Sequence, residues 1–68
     1  MNRVKEYRLK LGLSQEALAK KCYTHGSYIS LIENENRNVT IYMAKMLCKA
    51  LNCTLNDLFS DTDGDANV

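Results

Sequence analysis

The sequence has no proline and no tryptophan, a single histidine, a single phenylalanine and only three glycines. So few glycines exclude a glycine-rich phosphate loop, and one histidine leaves general acid–base or nucleophilic chemistry without its usual partner. No pair of carboxylates stands at a defined catalytic spacing. An enzyme is therefore not expected. Apolar runs are also short. None approaches the ~20 residues that cross a bilayer, and the opening Met-Asn-Arg-Val-Lys-Glu lacks the apolar stretch of a secretory signal. The expectation is a cytoplasmic protein with no membrane partner.

Net charge is scarce as well, +1 in total, which excludes a polybasic arm. The three cysteines are an odd number and do not suggest a disulfide scaffold. With His25 they make four possible metal ligands, but Cys22, Cys48 and Cys53 lack the paired C-x2-C spacing of zinc sites. They read better as small apolar residues. No metal, cofactor or small-molecule substrate is implied.

What the chain does contain is a globular balance, 46% hydrophobic and 25% charged, which sets it apart from disordered chains. Its 68 residues make one small domain, a size at which a core supplies only about 3–5 kcal/mol. The charges are polarised. Residues 1–37 carry seven cations against four anions, whereas residues 38–68 carry two cations against four anions. A surface with one sign collected on one part can steer an anionic partner even when the total is near zero.

Apolar spacing predicts five short helices and no strand, hence an all-α fold. Val4, Tyr7 and Leu11 set a first helix over residues 2–11, stopped by Gly12. Ser14 caps a second over 15–22, with Leu18 inward and Ala19 at a helix crossing. A third covers 26–34, with Ile29 and Ile32 inward. Thr40 caps a fourth, whose stripe is Ile41, Ala44, Leu47, Cys48 and Leu51, with Asn52 at its C-terminal stop. Thr54 caps a last helix from Leu55 to Phe59, with Leu58 inward. Residues 1–59 thus form the domain, and 60–68 an acidic tail without an apolar face.

Two short helices joined by three or four residues can place the second in the major groove of DNA. The residues extend that pattern. Arg8-Leu-Lys-Leu-Gly-Leu-Ser-Gln-Glu-Ala-Leu-Ala19 resembles the opening of the Xre/Cro/CI helix-turn-helix family. Tyr28-Ile-Ser-Leu-Ile-Glu33 resembles its recognition helix, and Asn52-Cys-Thr-Leu-Asn-Asp-Leu-Phe59 its closing helix. Ser27-Tyr-Ile-Ser30 followed by Arg37-Asn-Val-Thr40 is similar to the controller proteins of restriction–modification systems. The resemblance implies a five-helix, lambda-repressor-like domain, its helix-turn-helix at about 15–34, that binds double-stranded DNA as a homodimer and regulates transcription.

Carried over position by position, the resemblance makes Gln15 a phosphate donor at the start of the second helix. It makes Gly26 a point of close backbone approach, and Ser27, Tyr28 and Leu31 the groove-facing side chains. Tyr28 and Leu31 have an alternative as dimer or core contacts. Arg37 is the candidate for bidentate contact with guanine, or else a solvated charge, and Asn36 joins it as a phosphate donor in the loop. Arg8 and Glu33 match a structural ion pair of the family.

Two departures stand out. Tyr23 replaces the glycine usual in the turn, a strain of roughly 1–2 kcal/mol if the left-handed backbone is kept, which favours a rearranged turn. His25 replaces the usual Ser, Thr or Asp cap of the recognition helix. A different class of function also fits the sequence, a protein-interaction module of antitoxin or regulator-binding type, presenting Tyr42, Met43, Met46 and Phe59 as an exposed surface.

Overall fold

A computed structural model describes residues 2–35 and 39–59. Five helices follow one another: α1 (Val4–Lys10), α2 (Gln15–Lys21), α3 (Gly26–Glu35), α4 (Ile41–Leu51) and α5 (Leu55–Phe59). No strand occurs among the described residues. Helix bounds and capping follow local chemistry. The Ser14 hydroxyl accepts from Ala17 N–H at 3.0 Å and starts α2. Thr40 does the same for Met43 N–H at 3.0 Å and starts α4. At α5 the cap is reciprocal: Asp57 N–H donates to the Thr54 hydroxyl while Thr54 N–H donates to the Asp57 carboxylate, each at 3.0 Å. The left-handed Asn52 (φ 56°) ends α4 as the sequence predicts.

The core is one cluster to which every helix contributes: Val4 from α1, Leu18 and Ala19 from α2, Ile29 and Ile32 from α3, Leu47 and Leu51 from α4 and Leu58 from α5. Cys22 is buried beside them, in keeping with its reading as a small apolar residue. Burying a Leu or Ile side chain is worth about 1.5–3 kcal/mol. A handful of such residues at full burial therefore carries the fold. The α2–α3 pair packs most extensively, around the small Ala19 predicted for the crossing.

Several sequence expectations are corrected here. Leu11, in helical register with Val4 and Tyr7, and Ile41, on the apolar stripe of the fourth helix, are both exposed, Ile41 by 63%. Leu11 is the C-cap residue of α1, where the chain turns away through Gly12 (φ 70°). Ile41 is the first residue of α4, and Val39, packed on the core, closes that edge instead. Met43, Met46 and Phe59 are not an exposed surface. They are half-buried against the core, and of that expected patch only Tyr42 stands in solvent. The acidic segment 60–68 lies outside the described residues.

The turn between α2 and α3 is not rearranged. Tyr23 takes the left-handed conformation itself, with φ 57°, and its side chain is 86% exposed. The Tyr23 and Thr24 N–H groups still close back on the Lys20 and Ala19 carbonyls at 3.3 and 2.9 Å. The family's turn geometry is thus kept with the wrong residue for it, and the backbone absorbs the cost.

Candidate nucleic-acid interface

The junction of α1, α2 and α3 is organised by one buried carboxylate. Glu33 projects from α3, and its side chain is 1% exposed. The Arg8 guanidinium of α1 grips it through Nε at 2.7 Å and Nη2 at 3.2 Å, a two-pronged contact. Arg8 Nη1 donates to the Leu13 carbonyl at 2.8 Å, so the same side chain also fixes the α1–α2 loop. The ion pair that the resemblance implied is therefore present, and among the described residues no buried side-chain nitrogen or oxygen lacks a partner.

Gln15 completes this network. Its Nε2 donates to Glu33 Oε1 at 3.1 Å, a contact that sequence reasoning did not anticipate. The bond uses one of two amide hydrogens and leaves the other for an external acceptor. Through Glu33, Gln15 joins the first turn of α2 to the last turn of α3. A spacing rule cannot find such a bond, since the partners are 18 residues apart.

The other predicted positions distribute unevenly. Ser27 is exposed at the start of α3, and Leu31 is exposed by 43% one turn further on. Tyr28 is half-buried and packs against the core cluster. His25 is exposed, and its backbone carbonyl accepts from Tyr28 and Ile29 N–H at the helix start. Asn34 donates to the Ser30 hydroxyl at 3.1 Å, a contact within α3. Asn36, Arg37 and Asn38 lie outside the described residues.

Gly26 is buried, and what buries it is Glu16: a methyl group added to Gly26 would overlap the Glu16 carboxylate. Also unanticipated is Asn2, whose side chain donates to the Ile32 carbonyl at 2.9 Å and accepts from Val4 N–H at 3.0 Å, tying the start of α1 to α3. The Asn-x-Val pattern forms an Asx turn, a local signal the sequence carries for this contact.

The acidic, histidine and cysteine side chains of the described residues are scattered, and the thiols are shielded. No group of three His, Cys, Asp or Glu side chains could hold an ion. Burial first, and then the neighbouring Cys48 and Asp57, push the Cys53 thiol up to about 11. Burial also raises Cys22 and Cys48. Thiols held protonated at neutral pH are poor nucleophiles. No described helix is long and apolar enough to cross a membrane.

Comparison with known proteins agrees with this geometry. A helix-turn-helix family model matches residues 4–58. Control protein C.MunI of Mycoplasma sp is 38% identical over 63 residues, spanning 91% of this chain and 85% of that protein. Control protein C.BamHI of Bacillus amyloliquefaciens is 41% identical over 61 residues, 88% of this chain and 75% of that protein. Control protein C.SmaI of Serratia marcescens is 40% identical over 57 residues, 84% of this chain and 68% of that protein. With the five-helix order, the capped α2 and the Arg8–Glu33 pair in place, the chain belongs to the helix-turn-helix family of Xre/Cro/CI type, whose members are non-enzymatic DNA-binding regulators of transcription.

Proposed function

We propose that the chain binds a pseudo-palindromic operator in double-stranded DNA as a homodimer, with α3 in the major groove. The observation that carries this reading is the Arg8–Glu33–Gln15 network. It ties the Gln15 amide at the start of α2 to the last turn of α3, and a set relation between the two helices is what a reader of phosphate and base edges together requires. Ser27 and Leu31, exposed on α3, supply a hydroxyl donor and an apolar contact for a thymine methyl. Arg37 and Asn36 enter through the resemblance alone, as loop contacts to guanine and to phosphate. Relatives named as control proteins support a role in restriction–modification gene control.

The test is fluorescence anisotropy with a duplex from the region upstream of its own gene, across a salt series. Affinity should fall with a log–log slope of about −0.9 per phosphate contacted, and protected half-sites should lie one helical turn, ~34–36 Å, apart. Sedimentation should give a dimer. Gln15→Ala should weaken operator and random DNA alike, whereas Arg37→Ala should weaken the operator more. A salt-independent complex, or none, would overturn the reading.

A protein-contact surface is the second reading, and it has an observation of its own. Lys21 and Tyr23 on one side, and Tyr42, Met46, Lys49 and Ala50 of α4 on the other, line an open groove whose lining includes neither Gln15 nor Ser27. Such a surface is compatible with DNA binding, because dimerisation requires one.

A further inference from the structure

Gly26 is the starting point. Its φ lies outside the positive range, since Gly12 is the only positive-φ glycine among the described residues. Its backbone therefore makes no demand for glycine, and alanine is the better helix former. What an added side chain would meet is the far end of one flexible side chain, which would have to move aside. A Cβ at Gly26 would stand 2.8 Å from Glu16 Cδ and closer still to Oε2. The absent side chain leaves a seat on the first residue of α3, and the Glu16 carboxylate occupies it.

Glu16 has no other engagement. It lies in the first turn of α2, next to Gln15, and no hydrogen bond or ion pair involves it among the described residues. Its carboxylate lies against the first residue of α3. An ionised carboxylate is acceptor-only. Phosphate, also an acceptor and an anion, cannot satisfy it. The edge of the major groove presents guanine N7 and O6, adenine N7 and thymine O4 as further acceptors, and only cytosine N4 and adenine N6 as donors.

We infer that Glu16, seated on Gly26, is a specificity-determining residue that accepts a hydrogen bond from an exocyclic amino group in the major groove. The same charge repels the phosphate backbone wherever no such amine is in register, so it lowers affinity for random sequence. This inference rests on the DNA-binding reading above. Gln15 and Glu16 then divide the work of one helical turn: the amide grips the backbone and the carboxylate tests a base.

Selection of sites from a random duplex library with the full-length wild type, Glu16→Ala and Gly26→Ala tests it, each variant first checked by thermal melting. Wild type should select one position per half-site at which cytosine or adenine is preferred by about tenfold or more, the usual worth of a good base contact. Glu16→Ala should lose that preference and bind random duplex several-fold tighter. Gly26→Ala, which keeps the charge but displaces the carboxylate, should lose the preference too. An unchanged selected motif in Glu16→Ala, or tighter binding without a change of motif, overturns the inference while the DNA-binding reading stands. Loss in Glu16→Ala with full retention in Gly26→Ala overturns the seat. If wild type selects nothing, both readings fall together.

Discussion

The two ends of α2 are built on opposite principles. At the first turn, Ser14 caps the helix, Gln15 donates to a buried carboxylate, and that carboxylate is gripped twice by Arg8. At the last turn, the chain leaves through Tyr23, left-handed at φ 57° and 86% exposed, with no side-chain partner in the core. One end is over-determined by three helices, and the other carries unrelieved backbone strain. A domain this small has only a few kcal/mol to lose. Its polar interactions are concentrated at the junction of α1, α2 and α3, and the strain lies at the exposed turn.

Breaking the first end should have the largest effect. Glu33→Ala leaves the Arg8 guanidinium buried without its counter-charge, at a cost of about 3–5 kcal/mol. That approaches the whole stability expected for the domain. Urea titration followed by circular dichroism should show a largely unfolded protein. A double substitution of Arg8→Met with Glu33→Leu removes both charges together and should recover most of the loss, while Gln15 loses its anchor. A well-folded double variant that still binds DNA at wild-type affinity would show that the network serves stability alone.

The opposite end should respond in the opposite direction. Tyr23→Gly relieves the left-handed strain and should stabilise the fold by about 1 kcal/mol, part of the ~1–2 kcal/mol penalty being returned as greater freedom of the unfolded glycine. For a domain of this size that is a rise in Tm of roughly 4–8 °C. A fall in Tm would mean that the exposed ring, beside Lys21 and Tyr42 in the groove, contributes more than its backbone costs. Asn52 sharpens the contrast. It holds nearly the same φ, 56°, at the end of α4, but asparagine tolerates that conformation, so Asn52→Gly should change Tm much less than Tyr23→Gly.

These ends also differ in how legible they were. Ser14, Thr40, Thr54 and Asn52 act within three or four residues of themselves, and local chemistry sufficed to place them. The five helices followed from such signals and from the spacing of Leu18, Ile29, Ile32, Leu47 and Leu58. The Arg8–Glu33 pair spans 25 residues and was reached only through family resemblance. The Gln15–Glu33 bond and the seat of Glu16 on Gly26 were not reached at all. Both depend on where α2 and α3 cross, and side chains are brought together there by core packing, not by spacing. Ile41 and Leu11 were misplaced for a related reason. Periodicity marks a face, but the extent of the neighbouring helices decides where that face stops being covered.

Capping gives a middle-sized check on the first end. Ser14→Ala removes the acceptor for Ala17 N–H and should cost about 1 kcal/mol, within the usual 0.5–2 range for caps. Ser14→Gly should cost only a few tenths. Equal losses in the two variants would point to Ser14 doing more than capping.

The smallest effect belongs to the other ion pair of α1, and its smallness is what tests the comparison. Glu6 and Lys10 face solvent one turn apart, 3.6 Å between charged atoms, with Lys10 also 4.8 Å from the Tyr7 ring centroid. They share a helix with Arg8 and the same charge types. If charge pairing alone made the α1–α2–α3 junction strong, this pair should matter comparably. Exposed pairs are screened and lose side-chain entropy, so Lys10→Ala should shift stability by only about 0.3–0.5 kcal/mol. Raising the salt should erase most of that difference, but should leave the defect of Glu33→Ala in place. Equal salt sensitivity in the two variants would show that Glu33 is solvated in solution, and the over-determined end of α2 would lose the burial on which its rigidity depends.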